Sequence, residues 1–255
     1  MSTLIRDYER FAKEAKMICK DRVYTDYLRR YAYGVDASCY SYLPKVVVKA
    51  EDEQEVRRLI RLCQQCGTPF TFRAAGSSLS GQCSSEDVLI VCNDGFKKME
   101  VIDDGKALKC ECGVIGSDAN DLLKPYNRKI GPDPATLATA LVGGILNNNS
   151  SGMCCGTAQN SYKTIRSIRV VLLDGSILDT SDQKSIDQFL KEKPQMVEDI
   201  LQLRKDILAD EELTHLIHHK YKIKNTTGYG LNSLVDFEDI IDIINHLFIG
   251  SEGTL

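Results

Sequence analysis

Apolar residues at Leu4, Tyr8, Phe11, Ala15 and Ile18 recur at spacings of four and three, which predicts an amphipathic helix over about 2–20 that lays one face on another element. Val46-Val47-Val48 reads as a short buried strand. Residues 51–66 follow as a helix, with acids in the first turn and Gly67 just past the end. Strand character resumes at Pro69-Phe70-Thr71-Phe72-Arg73. This βαβ unit predicts two parallel neighbouring strands with a right-handed crossover.

Val88-Leu89-Ile90-Val91, Met99-Glu100-Val101-Ile102 and residues 107–112 then predict a small mixed sheet. Ser117 is placed to cap a short helix carrying Ala119, Leu122 and Leu123, and a small-residue helix is expected from Leu137 to about Leu146. Residues 168–173 and 177–179 flank Asp174-Gly175, the signature of a hairpin. Residues 182–221 are charged and helix-rich and read as an insertion or lobe. Asp236 is placed to cap a last helix whose stripe is Ile240, Ile241, Ile244, Leu247 and Phe248.

Composition narrows the function classes. The net charge of −4 comes from 32 basic and 36 acidic residues with no long single-sign block, which argues against a nucleic-acid partner. No apolar run reaches the roughly 20 residues that span a bilayer, and Asp7, Glu9 and Glu14 are foreign to a signal peptide, so a cytoplasmic protein is expected. Ten cysteines invite a metal or cluster module as the alternative. That alternative has one CxxC, Cys63 and Cys66, inside a helical pattern where Cys63 continues the apolar stripe; Cys110 and Cys112 alternate along a strand. The four histidines come late, and His218 and His219 are adjacent and cannot share a helix face. No metal site is expected.

Two stretches carry chemistry. Arg73-Ala74-Ala75-Gly76-Ser77-Ser78-Leu79-Ser80-Gly81-Gln82 is almost wholly small or hydroxylated and directly follows a strand. Such backbone can turn successive N–H groups onto a pyrophosphate without lysines, although the stretch fits neither the P-loop nor the GxGxxG pattern. A plain Ser/Gly surface loop is the competing reading. The second stretch runs from Gly131-Pro132-Asp133-Pro134 to Thr139-Ala140-Leu141-Val142-Gly143-Gly144-Ile145-Leu146-Asn147-Asn148-Asn149-Ser150-Ser151-Gly152. Paired glycines with Asn and Ser side chains suit the polar edge of a heteroaromatic ring and its sugar-like chain.

These stretches, with Val170 to Gly175 and Gly250-Ser251-Glu252-Gly253-Thr254-Leu255 in that order, resemble the FAD-binding domain of the vanillyl-alcohol-oxidase and p-cresol-methylhydroxylase superfamily. The sequence is most similar to its branch of D-lactate, glycolate and D-2-hydroxyglutarate dehydrogenases. Residues 33–38, 42–44 and 224–229 add to the likeness, which covers about 30–255.

The resemblance implies an α+β fold: two α/β subdomains (about 41–105 and 106–255), an N-terminal helical arm over 1–40 and a helical insertion at about 182–221. It implies a pyrophosphate cradle from Arg73, Ala74, Ala75, Gly76, Ser77, Ser78 and Leu79, with Gly81 and Gln82 towards the flavin. Pro132, Asp133, Thr139, Gly143, Gly144, Asn147, Asn149, Ser150 and Gly152 would line the flavin and ribityl chain, and Glu252 and Gly253 would approach it from the last motif. Covalently flavinylated members carry a histidine in the loop matching Gly76-Ser77-Ser78; here no histidine precedes His215, so the FAD is expected to be non-covalent.

The implied reaction is hydride transfer from the α-carbon of a small D-2-hydroxy acid to flavin N5, with a base taking the hydroxyl proton. Substrate-binding and catalytic groups are expected in a cap domain outside this chain, making the chain alone inactive. Electrons would pass to a fused or partner iron–sulfur domain, in an enzyme that is cytoplasmic or peripheral at the inner face of the membrane. A sugar or alditol oxidase, or a cell-wall precursor reductase, is the alternative on the same fold.

Overall fold

The protein's structure, a computed structural model, describes residues 6–254. Helix α1 (Tyr8–Cys19) begins where the Asp7 side chain accepts the Arg10 N–H, and it buries Phe11, Ala15 and Cys19. Leu4 of the predicted stripe lies outside the described residues. After β1 (Val23–Tyr24) and α2 (Tyr27–Ala32) the chain enters β2 (Val46–Lys49), α3 (Glu53–Cys66), β3 (Phe70–Arg73) and β4 (Val88–Val91).

These four strands form one sheet in the order β1-β2-β4-β3, with β2, β4 and β3 parallel. The expectation that β2 and β3 adjoin is corrected: β4 separates them, and Leu89 faces Val47 on one side and Thr71 on the other. All four residues of β4 are fully buried, so the most continuously apolar strand takes an interior position. The predicted mixed sheet loses β4 to this one. Helix α3, capped by Asp52 and closed by left-handed Gly67, packs with α1, and Leu59, Ile60, Cys63 and Phe11 share one core.

β5 (Met99–Ile102) and β6 (Ala107–Cys110) form a separate antiparallel hairpin. Helix α4 (Gly116–Leu123) is not capped by Ser117 as predicted. Its first N–H groups, those of Gly116 and Ser117, donate instead to the carbonyls of Ala140 and Leu137. That same backbone segment is bridged to Ile115 through Leu141, which delays the next helix, α5, to Val142–Asn148. Helix α6 (Ser161–Thr164) leads to the hairpin β7 (Arg169–Val171) and β8 (Ile177–Asp179), in the predicted place.

The charged, helix-rich segment forms α7 (Gln183–Glu192), α8 (Pro194–Ala209) and α9 (Glu211–Lys220). Phe189, Ile200, Ile207 and Ile217 join Leu172 and Leu178 of the hairpin region in a second core. That core is completed by α10 (Ser233–Asp236) and α11 (Ile240–Leu247). Asp239, not Asp236, caps α11, accepting the N–H groups of Ile241 and Asp242; Asp236 instead receives the Tyr162 hydroxyl at 2.8 Å. The buried positions of α11 are Ile243, Ile244 and Asn245. No helix among the described residues is long and apolar enough to cross a membrane.

Candidate functional site

The loop after β3 leaves the carboxyl end of a parallel strand, where open α/β sheets present ligand sites. Arg73 does not aim its charge outward. Its guanidinium donates to the carbonyls of Tyr33 (2.9 Å) and Val35 (2.8 Å) and lies beneath Gly76. A Cβ at Gly76 would sit 2.4 Å from Nη2, and the backbone there is left-handed (φ +73°), so glycine is required on both counts. Asp36 ties the far end of the loop to the chain before β2, accepting from Ser84 Oγ (2.9 Å) and the Ser38 N–H (2.8 Å). Ala37 also donates to the Gly76 carbonyl. Among the described residues the N–H groups of Ala75, Gly76 and Ser77 have no backbone acceptor, while that of Ser78 meets the Cys83 sulfur. A small-residue turn with unspent N–H donors suits an anion.

The second wall is built around α5. Gly144 faces the first loop, and a Cβ there would meet Ala74 Cβ at 3.6 Å; Gly143 faces away and packs on Cys112, with 2.7 Å left for a Cβ. Asp133 fastens the 131–135 loop to the loop after α5, its Oδ1 accepting the N–H groups of Gly152 (2.9 Å) and Cys155 (3.1 Å). The Cys155 thiol and these N–H groups hold the Asp133 carboxyl down at about 2. At the end of α5, Asn148 Nδ2 donates to Glu252 Oε1 at 2.6 Å, while Ser150 Oγ donates to Asn148 Oδ1 at 2.9 Å. Burial pushes the Glu252 carboxyl up, only partly offset by Asn148.

These walls enclose one cleft of about 3260 Å³. Arg73, Ala74, Ala75, Gly76, Ser77, Ser78, Leu79 and Gln82 line it from the first loop; Pro132, Asp133, Gly143, Gly144, Asn147, Ser150 and Gly152 from the second, and Glu252 and Gly253 from the last motif. Three expected residues are placed elsewhere. Gly81 packs on the Tyr40 ring, Thr139 Oγ1 donates to the Thr136 carbonyl, and Asn149 ends α5 in a left-handed turn, its amide bonding the Asn225 carbonyl and the Tyr162 N–H. Asn148, Ser151 and Lys224 line the cleft without having been singled out in the sequence. Lys224 Nζ donates to the Ser151 carbonyl at 2.8 Å, the one signal for it being its place at the head of the 224–229 motif. Cys110 and Cys112 also reach the cleft; burial pushes the Cys110 thiol up to about 11, so it is neutral at physiological pH.

FAD fits these residues: close backbone approach and free N–H donors at one loop suit a pyrophosphate, and an Asn/Ser/Glu wall suits a polar ring system. Residues 44–181 match the family described as "FAD binding domain", more than half of the chain. The chain belongs to that family. This FAD binding domain is 23% identical over 239 residues to D-2-hydroxyglutarate dehydrogenase of Haemophilus influenzae, covering 91% of the chain and 23% of that protein. It is 26% identical to D-2-hydroxyglutarate dehydrogenase of Pantoea ananatis, with the same coverage, and 24% identical to D-lactate dehydrogenase of Archaeoglobus fulgidus over 82% of the chain and 36% of that protein. The chain thus spans about a quarter of the length of these D-2-hydroxyglutarate dehydrogenases.

Among solved structures, alkyldihydroxyacetonephosphate synthase superposes with a TM-score of 0.58 at 20% identity, over 70% of this chain and 37% of that one. p-Cresol methylhydroxylase with substrate bound gives 0.54 at 16%, over 68% and 35%. The fold is the p-cresol-methylhydroxylase-type FAD-binding fold, of the α+β class.

Proposed function

We propose that this chain is the flavin-holding part of an FAD-dependent dehydrogenase acting on a small D-2-hydroxy acid. One observation supports the cofactor placement: Ala75, Gly76 and Ser77, whose N–H groups have no backbone acceptor, line the same cleft as Gly144 and the Asn147–Asn148 wall. The first loop takes the pyrophosphate through backbone donors, with Arg73 holding the loop's shape from below. Gly144 admits the cofactor close to α5, and Asn147, Asn148, Ser150 and Glu252 supply polar contacts to its ribityl and ring half. Bound FAD supplies two-electron acceptor chemistry that no side chain of the cleft offers. No histidine precedes His215, so the cofactor is held without a covalent link from the first loop. The D-2-hydroxy acid class follows the names of relatives that match over nine-tenths of the chain.

Reconstitution with FAD tests the cofactor reading, and acid denaturation, which should release all of the flavin into the supernatant, tests the non-covalent attachment. The substrate class is tested on the FAD-loaded full-length protein under anaerobic conditions. D-2-hydroxyglutarate and D-lactate should bleach the visible flavin band and their L-enantiomers should not. Bleaching by alditols or sugar lactones instead would move the protein to another branch of the fold.

A further inference from the structure

The elements of the first core and of the second meet along α3, and what joins them there is polar. Glu53, Arg57, Arg61 and Gln64 fall at successive turns of α3 and form a stripe beside the buried one of Val56, Leu59, Ile60 and Cys63. That stripe meets the β7–β8 hairpin. Glu53 receives a two-pronged bond from Arg169, Nε to Oε2 at 2.6 Å and Nη2 to Oε1 at 3.0 Å. Arg57 Nε donates to the Gly175 carbonyl at 2.7 Å and Gln64 Nε2 to the Leu173 carbonyl at 2.6 Å, while the Arg61 guanidinium lies against Gly175.

Little apolar surface backs these bonds. Side chains of a strand alternate between faces, so Val170 and Leu172 turn into the second core and Val171, between them, packs on the first. The seam is also gapped. A space of about 360 Å³ opens beside the Gln64–Leu173 bond, reaching Gly67, Phe70 and Gly253. Packed interiors hold few voids larger than a water molecule. A polar, gapped seam can exchange its bonds for water, whereas each core moves as a body. Glu53, Arg169 and Asp179 stand where the seam reaches the cofactor cleft, and all three line it. Asp179 is buried and pairs with Arg169 across the hairpin, accepting from its Nη1 at 3.1 Å. Arg169 is thus anchored on the hairpin and reaches across to Glu53.

Building on the cofactor reading above, we propose that Arg169 is a positioning residue that latches the two walls of the cleft together, and that FAD enters and leaves when the Arg169–Glu53 bonds break and the β7–β8 hairpin swings off α3. Closed, the latch keeps Gly144 opposite Ala74 and Gly253 opposite Phe72, the approach that wraps the cofactor. The Arg57 and Gln64 bonds end on neutral carbonyls and are weaker than a two-pronged ion pair, so the latch decides how often the seam opens.

The test follows FAD binding to the purified protein by stopped-flow quenching of flavin fluorescence, with thermal melts confirming that each variant is folded. Arg169→Leu and Glu53→Gln should each raise both the association and the dissociation rate of FAD about three- to tenfold, because losing the pair enlarges the open fraction of free and loaded protein alike. The double variant should be no faster than Arg169→Leu, since both changes remove the same bond. A residue that only stabilises the hairpin, or only touches FAD, would speed dissociation without speeding association. Association that is unchanged or slowed in the folded variants, or effects that multiply in the double variant, therefore overturn the latch and leave the cofactor reading intact. If Arg169→Leu does not fold, Glu53→Gln carries the same test, exchanging one carboxylate oxygen for an amide. A wild-type protein that takes up no FAD overturns the cofactor reading and the latch with it.

Discussion

The Asp133 carboxylate accepts the N–H of Gly152 at 2.9 Å, and Gly152 lies so close to the Asp133 backbone that a Cβ would stand 2.0 Å from its carbonyl oxygen. Two loops that contribute to the cofactor cleft from positions 19 residues apart are thereby locked to each other. Asp133→Ala removes the shared acceptor of Gly152 and Cys155, and is expected to weaken FAD binding and speed proteolysis within 150–156. Because the Asp133 carboxyl titrates at about 2, below its ordinary 3.8, its contribution is complete above that ordinary value and is lost only on acidification through the lower one. The loss in the variant should therefore be constant between about pH 5 and 8.

The two adjacent glycines of α5 should separate stability from binding. Gly143→Ala drives a methyl into Cys112 and is expected to cost about 1–3 kcal/mol of stability by overpacking. Gly144→Val places its branches in the space before Ala74, where the first contact is an ordinary 3.6 Å, so FAD affinity should fall with little change in thermal midpoint. Thermal melts with and without FAD distinguish the two.

Arg22 and Glu55 form a two-pronged pair, 2.8 and 2.6 Å, that joins the turn after α1 to the start of α3. Both are mostly buried. Burial pushes the Glu55 carboxyl up, but the Arg22 guanidinium and the Glu51 N–H outweigh it and leave it below its ordinary 4.5. A depressed carboxylate stabilises the fold above that value and loses its contribution as the pH falls through the lowered one. Glu55→Gln should therefore cost about 1–3 kcal/mol at pH 7, and wild type and variant should converge in urea titrations well below pH 4.5.

Much of this was legible in the sequence because it is local. The helical period marks α1 and α3, Asp174-Gly175 marks the hairpin of β7 and β8, and the small-residue run after Phe72 marks the loop that lines the cleft after β3. Strand order was not legible: Val88–Val91 is apolar on both faces, so no alternation shows which sheet or which neighbours it takes. The start of α4 is not legible because its N–H groups are satisfied by distant backbone rather than by Ser117. Within Asn147-Asn148-Asn149, successive side chains on a helix turn by about 100°, and left-handed Asn149 redirects the last one. Asn148 therefore meets Glu252, 104 residues away, while Asn149 braces Asn225 and Tyr162, a distinction composition alone could not make.

The central claim is that backbone donors of the loop after β3 hold an FAD pyrophosphate. It is tested most directly by titrating FAD into the wild-type protein and into Gly76→Val, with folding of each checked by circular dichroism. The account predicts saturable uptake of one FAD per wild-type chain and loss of that uptake in the folded variant, whose Cβ would collide with Arg73 on a left-handed backbone. Equal uptake by both would contradict it.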